Sequence, residues 1–201
     1  MTLVERRRAR AERRAFTLIE LLVTVAMIGV LAALALVGYR RFIHSAQSAE
    51  AKSVIHMIRG GEEAFKAEYM VYMDCSNGTL SLGNYYPNPT PNDARMNWIQ
   101  PGNARYATAP APCAAGMCGG FAALNVATDA PVRFGYAVVA GVGSPVIAPT
   151  AFSTPPTMPA LANGVPWYTI QAVNDHDGNG KYAVFASAST STEILSENEE
   201  E

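Results

Sequence analysis

Apolar residues run on in one block from Phe16 to Gly38, and the single charged residue among them is Glu20. At about 1.5 Å of rise per residue such a helix covers roughly the 30 Å of a bilayer's hydrocarbon, so the run predicts a membrane span. Beyond Tyr39 the pattern becomes periodic. Ala51, Val54, Ile55, Ile58, Phe65 and Tyr69 recur at three- and four-residue spacings, with Glu50, Lys52, Arg59, Glu63 and Lys66 on other faces. The pattern predicts one long helix from about Phe16 to Tyr69, lipid-soluble in its first half and amphipathic in its second. Gly29, Gly38 and the Gly60–Gly61 pair each weaken it by about 1 kcal/mol relative to alanine, which predicts bends or local melting. Close packing between neighbouring helices is the plainer use of the same glycines.

From Asp74 the pattern breaks into Asn, Gly, Pro and Ser. The stretch Asn84-Tyr85-Tyr86-Pro87-Asn88-Pro89-Thr90-Pro91-Asn92 holds neither a helix nor a central strand, because each proline lacks an amide donor and restrains its predecessor. A loop region over residues 74–130 exceeds what an unstructured connection spans in a compact domain, so short elements are expected around Asn97 to Gln100 and Phe121 to Val126. Three segments then read as strands. Residues 132–139 place Val132, Phe134, Tyr136 and Val138 on one face, while 167–173 and 182–187 are rich in aromatic and β-branched residues around a turn-forming loop. The six prolines of residues 141–166 make that interval an extended excursion. The acidic end from Ser196 to Glu201 reads as frayed.

Charge changes the picture at the N-terminus. Residues 1–15 carry six arginines against Glu5 and Glu12, a net +4 that leaves −6 for residues 16–201 out of the whole-chain −2. Arginines beside a span keep that end cytoplasmic and place the C-terminal part outside the inner membrane. Nine Lys and Arg scattered through residues 16–201 form no stripe, so nothing argues for nucleic-acid binding. An ordinary secretory signal cut near Ala33-Leu34-Ala35 is the rival reading. Its apolar core would run only about 7 to 15 residues without charge, whereas this one is longer, contains Glu20 and continues as a helix beyond Ala35.

A carboxylate in hydrocarbon costs on the order of 2.5 kcal/mol or more, so Glu20 asks for a partner. The local sequence Arg14-Ala15-Phe16-Thr17-Leu18-Ile19-Glu20 resembles the leader and cleavage motif of the type IV pilins and pseudopilins in position, charge order and apolar length. The resemblance implies that a prepilin peptidase cuts between Ala15 and Phe16 on the cytoplasmic side and methylates the new Phe16 amine. Members of the family usually carry Gly where this chain has Ala15, and often Pro where it has Val37. The resemblance further implies that Glu20 of an incoming subunit faces the N-terminal amine of a neighbour in the filament core. Such a pair neutralises two charges that a dry bundle otherwise excludes, and the penalty for an uncompensated partner sets the register. The plainer reading is a Glu near a helix start, favoured by the dipole and snorkelling to the interface.

Asp175, Asp177 and Asn179, followed by Gly180, fit the first half of an oxygen-ligand calcium loop. The second half is missing, since Ala186 stands where a bidentate Glu would close an EF-hand, and a polar hairpin turn explains the same residues. Calcium is the one cofactor the residues suggest. Cys75, Cys113 and Cys118 form an odd set in an exported domain, where one disulfide is expected; Cys113 with Cys118 closes the shortest loop. No enzyme signature is present: no nucleophile elbow, no phosphate-cradling glycine loop, and no acid and nucleophile beside His44, His56 or His176. Asn77-Gly78-Thr79 meets the N-glycosylation pattern but reads as a turn.

The expected architecture is therefore α+β and pilin-like: a basic leader over 1–15, a membrane and filament-core helix over 16–38, an amphipathic helix over 39–73, and a β-rich head over 74–201 built on a small antiparallel sheet. The expected function is a structural, non-enzymatic subunit of a type IV pilus. Its partners would be membrane lipid before assembly, the prepilin peptidase, an inner-membrane assembly platform and copies of itself or related pilins. Two alternatives stay open, a pseudopilin of type II secretion and a single-span anchored protein whose outer domain binds a ligand through Asp175 and Asp177.

Overall fold

The computed structural model describes residues 16–98 and 117–199, apart from the side chains of Arg40, Met117 and Cys118. The chain divides into two units, Met1–Arg41 and Phe42–Glu201. The long helix α1, Leu18–Tyr69, spans 52 residues and belongs to both. It continues through Gly29, Gly38, Gly60 and Gly61 without melting, so the glycines do not break it. Gly61 has a packing use instead. A Cβ there would lie 2.5 Å from the Leu124 carbonyl oxygen, so only glycine lets this loop approach the helix. The helix ends where Met70 turns left-handed at φ 63° and donates its amide to the Lys66 carbonyl at 2.8 Å.

Within the second unit the sheet is an antiparallel meander in the order β1 (Gly135–Val142), β2 (Pro166–Asn174), β3 (Ala183–Ala188) and β4 (Leu195–Glu197). Tyr136 stands opposite Ala172, and Ala172 opposite Phe185, so these three side chains share a face. That face receives the stripe of α1. Ala51, Val54, Ile55 and Ile58 pack in one buried cluster with Phe134, Tyr136, Val138, Tyr168, Ile170 and Phe185. Phe65 packs at its margin, but Tyr69 lies beyond the sheet, 56% exposed, stacked on Phe65 at 4.5 Å. A short helix α2, Met117–Ala123, stands where an element was expected at Phe121 to Val126, with Phe121 stacked on Tyr86. The element expected at Asn97 to Gln100 lies partly outside the described residues; just before it, Met96 bridges Val132.

Two features depart from the sequence reading. The other face of the sheet is also buried: Ala137, Val139, Trp167, Val173 and Val184 pack with Leu80, Tyr85 and Val146, and Ile147, Phe152, Met158 and Leu161 of the proline-rich excursion lie against them. That excursion is extended, as its prolines require, and acts as a second cover. The C-terminal end is also not frayed as far as Glu199. Leu195–Glu197 forms β4 on the edge of β3, Glu197 accepts the Ser153 amide at 3.0 Å, and Lys52 pairs with Glu199 at 3.2 Å. Acidic composition gave no hint of this, because the partners come from positions distant in sequence.

Candidate functional site

The start of α1 is held by its own side chains. Thr17 is the N-cap and Glu20 the third helical residue. The Thr17 hydroxyl accepts the Glu20 amide at 3.3 Å, while Glu20 Oε2 accepts the Thr17 amide at 3.1 Å and the Thr17 hydroxyl at 2.9 Å. This is a reciprocal capping box, which satisfies donors that a helix start leaves without partners. Thr-x-x-Glu before an apolar run was the signal for it, and the sequence reading passed over Thr17. Glu20 thus has a local partner within the chain. Phe16, two residues before the helix, is 75% exposed. Ala15, the other side of the expected cleavage point, lies outside the described residues.

Beyond the cap the helix presents an apolar surface with nothing over it. Leu18, Ile19, Leu21, Leu22, Val25, Ile28, Leu31, Leu34 and Leu36 are each at least 60% exposed. A Cβ on Gly29 or Gly38 would meet nothing within 4 Å beyond its chain neighbours and the adjoining backbone of its own helix. Among the described residues α1 is the one helix long and apolar enough to cross a membrane. About 25 cal/mol is gained per Å² of apolar surface removed from water, so a surface of this extent requires lipid or other helices around it.

The other expected sites are each placed by the fold. Asp175, Asp177 and Asn179 do come together in the β2–β3 turn, where their oxygens serve the turn itself. Asp175 accepts the amides of Gly178 at 2.8 Å and Gly180 at 3.1 Å, Asp177 accepts the amide and side-chain nitrogen of Asn179, and Asn179 accepts the Lys181 amide at 2.6 Å. Among the described residues no group of three His, Cys, Asp or Glu side chains is arranged around a common ion position. Cys113 and the Cys118 side chain lie outside the described residues, and with them the expected disulfide. Cys75 is a free thiol, buried beside Gly120 of α2, and burial pushes its pKa up. His176 pairs with Asp93 at 2.8 Å and meets the His44 ring edge-on at 6.2 Å.

One chemically marked residue escaped the sequence reading. Glu62 on α1 is fully buried, its Oε2 accepting the Met73 amide at 2.9 Å and its Oε1 without a partner. Burial, reinforced by the neighbouring carboxylates of Glu63 and Asp74, pushes its pKa up to about 8. The acid is thus neutral at pH 7 and fastens the helix to the segment that leaves it. Next to it Tyr72 donates to Glu63 and accepts from Lys66, both at 2.9 Å.

Comparison with known proteins agrees with the N-terminal geometry. Residues 10–36 match the prokaryotic N-terminal methylation motif. Over 64 residues, 32% of the chain, the sequence is 38% identical to the type IV major pilin protein PilA of Myxococcus xanthus (strain DK1622). The match covers 29% of that relative's length. No solved structure matches the chain. In its N-terminal part the chain is thus similar to a type IV pilin, and one long helix with a small antiparallel sheet is an α+β, pilin-like arrangement.

Proposed function

We propose that this chain is a prepilin whose mature form, residues 16–201, polymerises as a structural subunit of a type IV pilus. The observation that carries the reading is that the exposed apolar half of α1 lies within the matched N-terminal methylation motif, residues 10–36. Before assembly that surface would sit in inner-membrane lipid with the arginine-rich leader in the cytoplasm. A prepilin peptidase would cut between Ala15 and Phe16 and methylate the Phe16 amine, and an assembly platform would draw subunits from the membrane. In the filament the same apolar surface would be covered by the helices of other copies.

Glu20 has two consecutive uses in this scheme. In the lone subunit the capping box engages its Oε2. In the filament its carboxylate would meet the Phe16 amine of a neighbouring copy, and a dry surrounding makes an unmatched charge costly enough to reject wrong registers. The relative's description as a major pilin favours a pilus over a secretion pseudopilus. Imaging of surface fibres from cells with and without the gene tests this: loss of fibres supports a major subunit, and intact fibres with impaired secretion would replace it by a pseudopilin. Mass spectrometry of the fibres should find residues 16–201 with a methylated Phe16; a retained leader would refute the processing scheme. Calcium at Asp175, Asp177 and Asn179 is a separate proposal, supported by their convergence in one turn, and absence of heat on titrating calcium into the stripped protein removes it.

A further inference from the structure

Three Asn–Gly steps occur in exposed turns of the head: Asn77–Gly78, Asn163–Gly164 and Asn179–Gly180. In each the glycine has a positive φ, of 72°, 86° and 81°. An asparagine before glycine is the step at which the following main-chain nitrogen meets least hindrance, because glycine carries no Cβ. The three turns resemble each other in sequence and exposure, yet they differ in hydrogen bonding. In the third, the Gly180 amide donates to Asp175 Oδ2 at 3.1 Å, Asn179 Nδ2 donates to Asp177 at 2.8 Å, and Asn179 Oδ1 accepts the Lys181 amide at 2.6 Å. Both the attacking amide and the side chain under attack are therefore held. In the other two turns the bond that closes the turn comes from the next residue, Thr79 to the Ser76 carbonyl and Val165 to the Ala162 carbonyl, both at 3.2 Å. Neither the Gly78 and Gly164 amides nor the Asn77 and Asn163 side chains make a hydrogen bond among the described residues.

We propose that Asn77 and Asn163 are sites of spontaneous deamidation, and that Asn179 is protected by the two aspartates of its own turn. The Gly78 nitrogen bonds to the Asn77 side-chain carbonyl carbon, the bond from that carbon to Nδ2 breaks, and the nitrogen's proton leaves with Nδ2 as ammonia. Water then opens the five-membered imide at either carbonyl, leaving an aspartate or, with one more carbon in the backbone, an isoaspartate. The same exchange of water for ammonia applies at Asn163. Each conversion adds a negative charge to an outer domain that is already acidic. At residue 77 it does so beside Asp74, in the turn from which Ser76 accepts the Val138 amide of β1 at 2.9 Å. A subunit kept for long outside the cell would in this way record its age as charge on two loops.

The test is peptide mapping by mass spectrometry of the purified full chain kept in mildly alkaline buffer at growth temperature, against a chilled, mildly acidic control. The expected result is a one-dalton gain at residues 77 and 163 that accumulates several-fold faster than at residue 179. Equal rates at all three, or no gain at 77 and 163, would overturn the proposal. Asn77→Gln and Asn163→Gln should each abolish the gain at that position alone. Asp175→Ala with Asp177→Ala should raise the rate at 179 toward the other two while leaving theirs unchanged. Continued slow conversion at 179 in that variant would refute the assigned protection, and a parallel rise at all three positions would show general unfolding and refute it equally.

Discussion

The two halves of α1 differ in how their apolar residues are spread, and those residues have opposite fates. Ala51, Val54, Ile55 and Ile58 are at most 3% exposed against the sheet, whereas Leu18, Ile19, Leu31 and Leu34 are at least 65% exposed. The difference lies in how the apolar residues are distributed. A stripe at three- and four-residue spacing needs one partner surface and finds it in the chain's own sheet. A helix apolar on every side needs a partner all round, which one small head does not supply. The amphipathic half serves the stability of the head, the proposed function gives the apolar half to assembly, and substitutions should separate the two.

The largest separation is expected at Glu20. Glu20→Ala should abolish fibres on imaging while leaving the thermal transition of the head unchanged; fibres of normal number and length would break the proposed amine pairing. The reverse effect is expected at Ile55, which is fully buried. Ile55→Ala should cost about 2 to 5 kcal/mol in chemical denaturation, while Leu31→Ala leaves that transition in place and weakens assembly.

Glu62 sharpens the contrast through pH. Its folded pKa is raised to about 8 against an ordinary 4.5, so the folded state holds a proton that the unfolded state has lost between those values. Its stabilising contribution is therefore full below pH 4.5 and falls by a few kcal/mol as pH rises to about 8. Glu62→Gln should flatten this decline in the melting temperature, and an unchanged slope would show that another group causes it. The smallest effect is expected at the cap: Thr17→Ala should cost about 1 kcal/mol, read as faster amide exchange confined to the first turn of α1.

Much of this was legible in the residues. The stripe predicts an end at Tyr69 and the helix ends there, four residues short of the amphipathic segment expected over 39–73. The three expected strands appear within a few residues of their expected limits, because aromatic and β-branched runs between Asn, Gly and Pro leave few alternatives. Strand β1 starts at Gly135, so Val132 and Phe134 join the helix-side core from the approach to the strand. The second cover from the proline-rich excursion was not legible. Its prolines announce an extended path but not the surface on which Ile147, Phe152 and Met158 lie.

By itself the sequence determined an apolar helix of membrane-crossing length, an arginine-rich segment before it, a carboxylate within it and an amphipathic continuation. These are one-dimensional patterns, and helix geometry converts them directly into surfaces. Tertiary structure alone decided that the C-terminal end is tied down by Ser153 and Lys52, that Glu62 is buried, and that Asn179 is held while Asn77 and Asn163 are not. Each depends on residues brought together across loops or strands. Burial and hydrogen bonding belong to that three-dimensional neighbourhood and leave no regular trace along the chain.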